Sequence, residues 1–286
     1  MKKISLEGFM KTVFILCATT SILAILLIVY FIFSGGVPFI MEYGLKNFLF
    51  GTQWKPSNTP QLFGILPMIL GSLYITFGAI IIGVPIGVLT ATYLAKFSNK
   101  RLYKLLKPSV NLMAGIPSIV YGFFALQVIV PIIKNLLGGT GMNIIASSIL
   151  LGIMILPTII GLSESSIRSV PQSYYEGSVA LGASHERSVI SVVLPAAKSG
   201  IFSSIILGIG RAIGETMAVI LVAGNQARIP DSITKGVRTL TTNIVLEMSY
   251  AADTHREALI ATAVVLFVFI LIINTIFLIV KRRTSN

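Results

Sequence analysis

Six apolar runs, each long enough to cross a bilayer, constrain this chain more than any other feature. They lie at 12–33, 62–94, 108–131, 142–163, 199–223 and 258–280. A helix needs about 20 apolar residues to span a hydrocarbon core about 30 Å thick. Backbone N–H and C=O groups find no water there, so an open sheet would leave them unpaired. The alternating segments of about ten residues that build a lipid-embedded barrel are absent. The expected fold is therefore all-α and integral to the membrane, with six transmembrane helices. Of 286 residues, 55% are hydrophobic and only 11% charged, too few charges to cover a water-soluble domain.

The runs differ in character. The first follows Met1-Lys2-Lys3 but is too long for the h-region of a signal peptide, so it is expected to stay as an anchor. Cys17 lies within it as a small buried hydrophobe, and a single cysteine leaves no intrachain disulfide. The second run is longer than one crossing needs. Pro67 and Gly71 suggest that its start is bent or interfacial. Two loops on one side are substantial, 34–61 and 224–257. On the other side only 164–198 is long.

Charge sets the topology. The formal net charge is +12. Six crossings place both termini on one side with segments 95–107 and 164–198. Fourteen Lys and Arg fall on that side and seven on the other, Arg211 being left within a span. Basic residues mark the cytoplasm, so both termini are expected inside. The basic excess then serves topology, and no nucleic-acid partner is implied. The two histidines, His185 and His255, fall on opposite sides, and His185 reads as a solvated loop residue. No metal cluster and no nucleophile with a partner base is evident, so the chain is not read as an enzyme.

The loop 164–198 has the composition of a folded element. Ser173 and Glu176 have capping-box spacing for a short helix to Leu181. Gly182 permits a left-handed turn. A second helix from Ser184 would run to Leu194, with Pro195 opening the approach to the fifth span. The pair would form a knob on the cytoplasmic face.

The fifth span holds Gly210-Arg211-Ala212-Ile213-Gly214-Glu215-Thr216-Met217-Ala218-Val219. Arg211 is twelve residues into the run, hence roughly 18 Å deep. An ionisable group there costs at least ~2.5 kcal/mol and turns toward protein or a watery cavity. Arg211 and Glu215, four apart, would share a helix face. They read either as a neutralised packing pair or as an anion path, in which a planar guanidinium binds oxyanions and Glu215 prevents tight trapping. Gly210 and Gly214 form a small-xxx-small strip for close helix approach. Pro117 reads as a kink whose freed carbonyls Ser118 could patch, or as part of the path.

Glu176, Gly177, Ser178, Gly182, Val192, Leu194 and Pro195 stand at the intervals of a 20-residue signature. This segment resembles the EAA loop of binding-protein-dependent ABC importer permeases, with Gly177 and Ser178 in place of two alanines and Val192 in place of isoleucine. The resemblance implies a loop that couples to a separate ATPase through Glu176, Gly177, Ser178, Gly182, Leu194 and Pro195. No Walker A pattern occurs in the chain. The fifth-span segment, together with Gly115-Ile116-Pro117-Ser118-Ile119-Val120-Tyr121-Gly122 and Leu156-Pro157-Thr158-Ile159, resembles phosphate importer permeases. Met217-Ala218-Val219 is similar to the PstC type, where PstA usually has Ala-Pro.

That resemblance implies a six-helix permease of the type I, MetI-like kind, with Arg211, Glu215 and Thr216 on the substrate pathway. It also implies a PstA-like sister permease, two PstB-like ATPase subunits, a PstS-like phosphate-binding protein and a bacterial inner-membrane location. ATP-Mg would sit on the partner ATPase, with no cofactor on this chain. Residues 1–61 would form an anchor helix and outer loop, and 62–286 a permease core. The coupling signature alone leaves sulfate, molybdate or phosphonate open as cargo. A non-transporting phosphate-signalling scaffold would need the knob but no charge at membrane depth.

Overall fold

The computed structural model describes residues 6–285, with side chains placed from 7 to 279. Lys2 and Lys3, and the side chains of Lys281, Arg282 and Arg283, lie outside the described residues. Six helical stretches are long and apolar enough to cross a membrane: Glu7–Tyr43, Leu66–Phe97, Ser118–Leu137, Ile144–Arg168, His185–Gly214 and Asp253–Ile279.

The first helix, α1 (Leu6–Tyr43), is 38 residues long. At 1.5 Å per residue it reaches about 57 Å, well beyond one bilayer core. The expected loop at Gly35-Gly36 is thus helix instead. A Cβ on Gly36 would lie 2.9 Å from the Ala261 backbone of the last helix, so glycine here lets two helices touch. The earlier part of α1 exposes Phe14, Ile25 and Phe31. Cys17 is accordingly exposed rather than buried.

After α1 come α2 (Leu45–Phe50) and a two-stranded antiparallel pair, β1 (Trp54–Lys55) and β2 (Leu62–Phe63). The second span does not bend at its start. It begins at α3 (Leu66–Thr92), with Pro67 in the first turn, where its missing N–H costs nothing. Gly71 is a contact point: a Cβ there would collide with the Arg238 carbonyl. A π turn, Tyr93–Phe97, ends the span.

The third span differs most from the expectation. Residues 100–115 form a separate amphipathic helix, α4 (Lys100–Gly115), capped by the Asn99 side chain. Ile116 and Pro117 are extended, and the span itself starts with α5 (Ser118–Gln127) and continues as α6 (Ile129–Leu137). Pro117 therefore separates two helices rather than kinking one, because the residue before proline is pushed out of the α region. Tyr121, not Ser118, satisfies a freed carbonyl: its hydroxyl donates to Met113 O at 2.8 Å.

The central element is α7 (Ile144–Arg168), the most buried of the spans. It lies along α3, where Gly83 and Gly87 face Ile155 and Ile159. A Cβ on either glycine would sit 2.7 Å from those side chains. Tight seams between small and branched residues suit helix association in lipid, where no hydrophobic drive separates protein from solvent.

Two short helices, α8 (Gln172–Ala180) and α9 (His185–Ser188), follow α7. The fifth span is α10 (Leu194–Gly214) and α11 (Met217–Val222). The chain then passes through α12 (Leu240–Glu247) to α13 (Asp253–Ser285). At the α12 end, Phe39, Phe48, Trp54, Phe63 and Met68 make a buried cluster with Leu240 and Leu259.

Candidate functional site

The fifth span is broken where its charges lie. Helix α10 ends at Gly214, Glu215 is extended (φ −69°, ψ 132°), and α11 begins at Met217. Arg211 and Glu215 therefore do not share a helix face. Glu215 Oε1 accepts from the backbone N–H groups of Thr216 and Ala218, at 3.1 and 3.3 Å. It caps α11, supplying an acceptor to amides that lack helical partners. Thr216 donates its hydroxyl to Gly214 O at 3.2 Å, and Thr241 Oγ1 donates to Glu215 O at 3.0 Å. Several backbone groups freed by the break thus find partners within the protein.

Arg211 is left in the last turn of α10, where a cation suits the negative helix end. It donates from Nη1 to Thr158 Oγ1 of α7 at 3.3 Å. No carboxylate lies within 4 Å of it among the described residues. It lines a cavity of about 670 Å³ between α7, α10 and α13, together with Thr158, Ser203, Gly210 and Asn274 and the apolar Leu162, Ile206, Leu207 and Leu278. An always-charged fork beside hydroxyls and an amide, with no acid in the lining, is suited to a tetrahedral oxyanion.

Thr158, Ser203 and Asn274 were not singled out from the sequence as contacts. Asn274 had a signal: it is the lone amide in the last apolar run, 258–280, whose other polar residues are Thr262 and Thr275. The glycine strip meets no helix of its own chain among the described residues. Nothing approaches within 4 Å of a Cβ placed on Gly210 or Gly214. That face is open in the single chain.

The knob forms with different caps. Pro171, not Ser173, stands at the α8 N-cap, and no side chain caps the helix, so the expected capping box is absent. Proline carries no side-chain acceptor, and Tyr174 N donates instead to the Pro171 carbonyl at 3.1 Å. Gly182 adopts φ +86°, and Ser184 caps α9 by accepting from Arg187 N at 3.3 Å. The expected break at Leu194-Pro195 does not occur. A π turn over Val189–Val193 leads into α10, relieving the clash that Pro195 would make with an α-helical carbonyl.

Glu176, Gly177 and Gly182 are exposed, and Ser178 and Leu194 are half-buried. Leu181 is 91% exposed at the tip, beside exposed Tyr174 and Val179. His185 is a fastener, not a solvated residue. Its Nδ1 lies 2.8 Å from Tyr175 Oη and its Nε2 3.1 Å from Lys96 O, with Phe97 edge-on at 4.9 Å. The knob is thereby tied to the end of the second span.

A broken span with an inward-turned arginine and a rigid knob with an apolar tip belong to one architecture. Residues 83–286 match the model of the binding-protein-dependent transport system inner membrane component family. The chain belongs to that family.

The permease is 36% identical over 267 residues to "Probable ABC transporter permease protein YqgH" of Bacillus subtilis, covering 90% of this chain and 86% of the relative. It is 31% identical over 299 residues to the phosphate transport system permease protein PstC of Mesorhizobium japonicum, covering 95% and 90%. Among solved structures, its fold is similar to a chain of a bacterial alginate ABC transporter. The TM-score is 0.68 at 16% identity, over 98% of both chains. A chain of the inward-facing MetNI methionine transporter gives a TM-score of 0.64 at 19% identity, over 78% of this chain and 96% of that one. The fold is that of an ABC importer permease, and the chain is a multi-pass membrane component.

Proposed function

We propose that this chain is the permease subunit of an ATP-driven phosphate importer, and that phosphate passes inward by way of Arg211. The observation that carries the reading is the state of that guanidinium: within a span, without a carboxylate partner among the described residues, and facing a cavity whose lining includes two hydroxyls and an amide. A charge held only for packing would be expected to be neutralised by a neighbour. The PstC names of the relatives support phosphate as cargo over sulfate, molybdate or phosphonate.

In this reading both termini and the α8–α9 knob face the cytoplasm. A sister permease of the PstA kind covers the open face around Gly210 and Gly214. Two PstB-like ATPases bind ATP-Mg and dock on the knob, where Leu181 enters a groove and Glu176 and Gly182 fix orientation and turn. A PstS-like protein delivers phosphate to the outer loops. Closure of the ATPases moves the knob, and its bonds through His185 to Lys96 carry the movement to the second span. Glu215 and Thr216 hold the break that lets the pathway bend around Arg211. Residues 1–61 serve as anchor and outer loop. Residues 62–286 are the permease core, with coupling loop 164–198.

The test is Arg211→Gln in the complete importer reconstituted in vesicles, with phosphate uptake and ATPase rate read together. Uptake at background with the complex assembled is the expected result. Undiminished uptake overturns the role of Arg211 in the path. Loss of assembly assigns Arg211 to packing.

A further inference from the structure

Near the α8–α9 end, the π turn Tyr93–Phe97 and the first turns of α4 enclose a cleft of about 230 Å³. Four cations line it, Lys96, Lys100, Lys104 and Arg168, together with Ser98 and Tyr103. Arg168 is already held. Its Nε donates to Glu164 Oε1 at 2.8 Å, its Nη2 donates to Leu94 O at 2.8 Å, and its guanidinium lies 4.5 Å over the Tyr103 ring. Glu164 is shared with Lys107 and does not serve the lysines of the cleft. Among the described residues, no carboxylate lies within 4 Å of Lys96, Lys100 or Lys104.

The local charge is one-sided. The first turn of α4 has no acid and instead carries Lys100 and Arg101 at the helix's positive end. Like charges crowded there repel one another and the helix dipole. An anion in the cleft would offset both.

We propose that this cleft binds a phosphate-bearing anion, and that the headgroup of an anionic phospholipid is the source its surroundings favour. Exposed Tyr93, Phe97 and Leu105 flank the cations on the same two elements, giving acyl chains an apolar surface beside the charge. Aromatic residues at that level are typical of the membrane interface. Basic pockets between helices at the cytoplasmic leaflet take such headgroups. Inorganic phosphate in the cytoplasm carries the same recognition chemistry and is the other source. Lys96 also supplies the carbonyl that His185 Nε2 meets, so the site abuts the fastening of the knob. The inference depends on the permease reading only for the leaflet it faces. Its failure leaves the role of Arg211 untouched.

The experiment compares the wild-type complex, purified and delipidated, with Lys100→Gln/Lys104→Gln and Lys100→Arg/Lys104→Arg. Native mass spectrometry titrates phosphatidylglycerol, with phosphatidylcholine as control. Equilibrium dialysis without the binding protein measures radiolabelled inorganic phosphate. Phosphatidylglycerol binding about thirtyfold weaker in the glutamine variant, and retained in the arginine variant, is expected. A loss confined to inorganic phosphate keeps the site and assigns it to the free anion. No difference between wild type and the glutamine variant with either probe overturns the site, and equal wild-type binding of the two lipids overturns the phospholipid assignment.

Discussion

Two charged groups in this protein are held in opposite ways. Glu247, at the end of α12, is buried and saturated. Trp54 Nε1 donates to it at 2.8 Å, His255 Nε2 meets it at 2.8 Å, and Arg238 pairs with its other oxygen. Arg238 is further fixed by Asn225 O and Asn243 Oδ1. Arg211, by contrast, has one hydroxyl at 3.3 Å and a cavity. Buried charge used for architecture is matched on every side, because an unmatched one destabilises the fold. A charge that must take and release a ligand cannot be matched by the protein alone.

That contrast can be broken by substitution. Glu247→Ala strands Arg238 and should cost about 3–5 kcal/mol, read as a large fall in the melting temperature of the detergent-solubilised complex. An unchanged melting point would remove Glu247 from the architecture. Trp54→Phe deletes one donor to the same carboxylate and should cost about 1–3 kcal/mol in the same assay. Arg211→Lys keeps the charge and loses the planar fork. Transport should fall about tenfold, the worth of one charge-assisted hydrogen bond, with the melting temperature within error of wild type. A destabilised lysine variant would place Arg211 with Glu247 as an architectural charge. Asn274→Leu should raise the KM for phosphate uptake about fivefold without loss of assembly. Unaltered uptake kinetics would take Asn274 out of the pathway.

The same contrast explains what could be read in advance. Six spans, the long loop between the fourth and fifth, and the left-handed Gly182 follow from apolar run length and from a residue type that tolerates positive φ. The third and fifth spans were misjudged for a shared reason. Residues 108–115 and 216–222 are apolar enough to join their neighbours in one run, and apolar content does not distinguish a continuous helix from two pieces. Pro117 and Gly214 marked the places, but either residue is also compatible with an unbroken helix in lipid. The reach of α1 past Gly35-Gly36 was hidden because those glycines are read as a loop until Ala261 is seen against them.

By itself the sequence determined that this chain has six apolar stretches long enough to cross a bilayer, carries an arginine within the fifth and has a folded segment after the fourth. Those features depend on transfer energies and local backbone preferences, which act residue by residue. Only the tertiary structure decided that Glu215 caps a half-helix instead of pairing with Arg211. It also brought Thr158, Ser203 and Asn274 around one cavity and locked His185 against Lys96. These arrangements join residues as much as 116 positions apart along the chain, as with Thr158 and Asn274 on one cavity wall. They are fixed by how helices pack, and no local pattern encodes them.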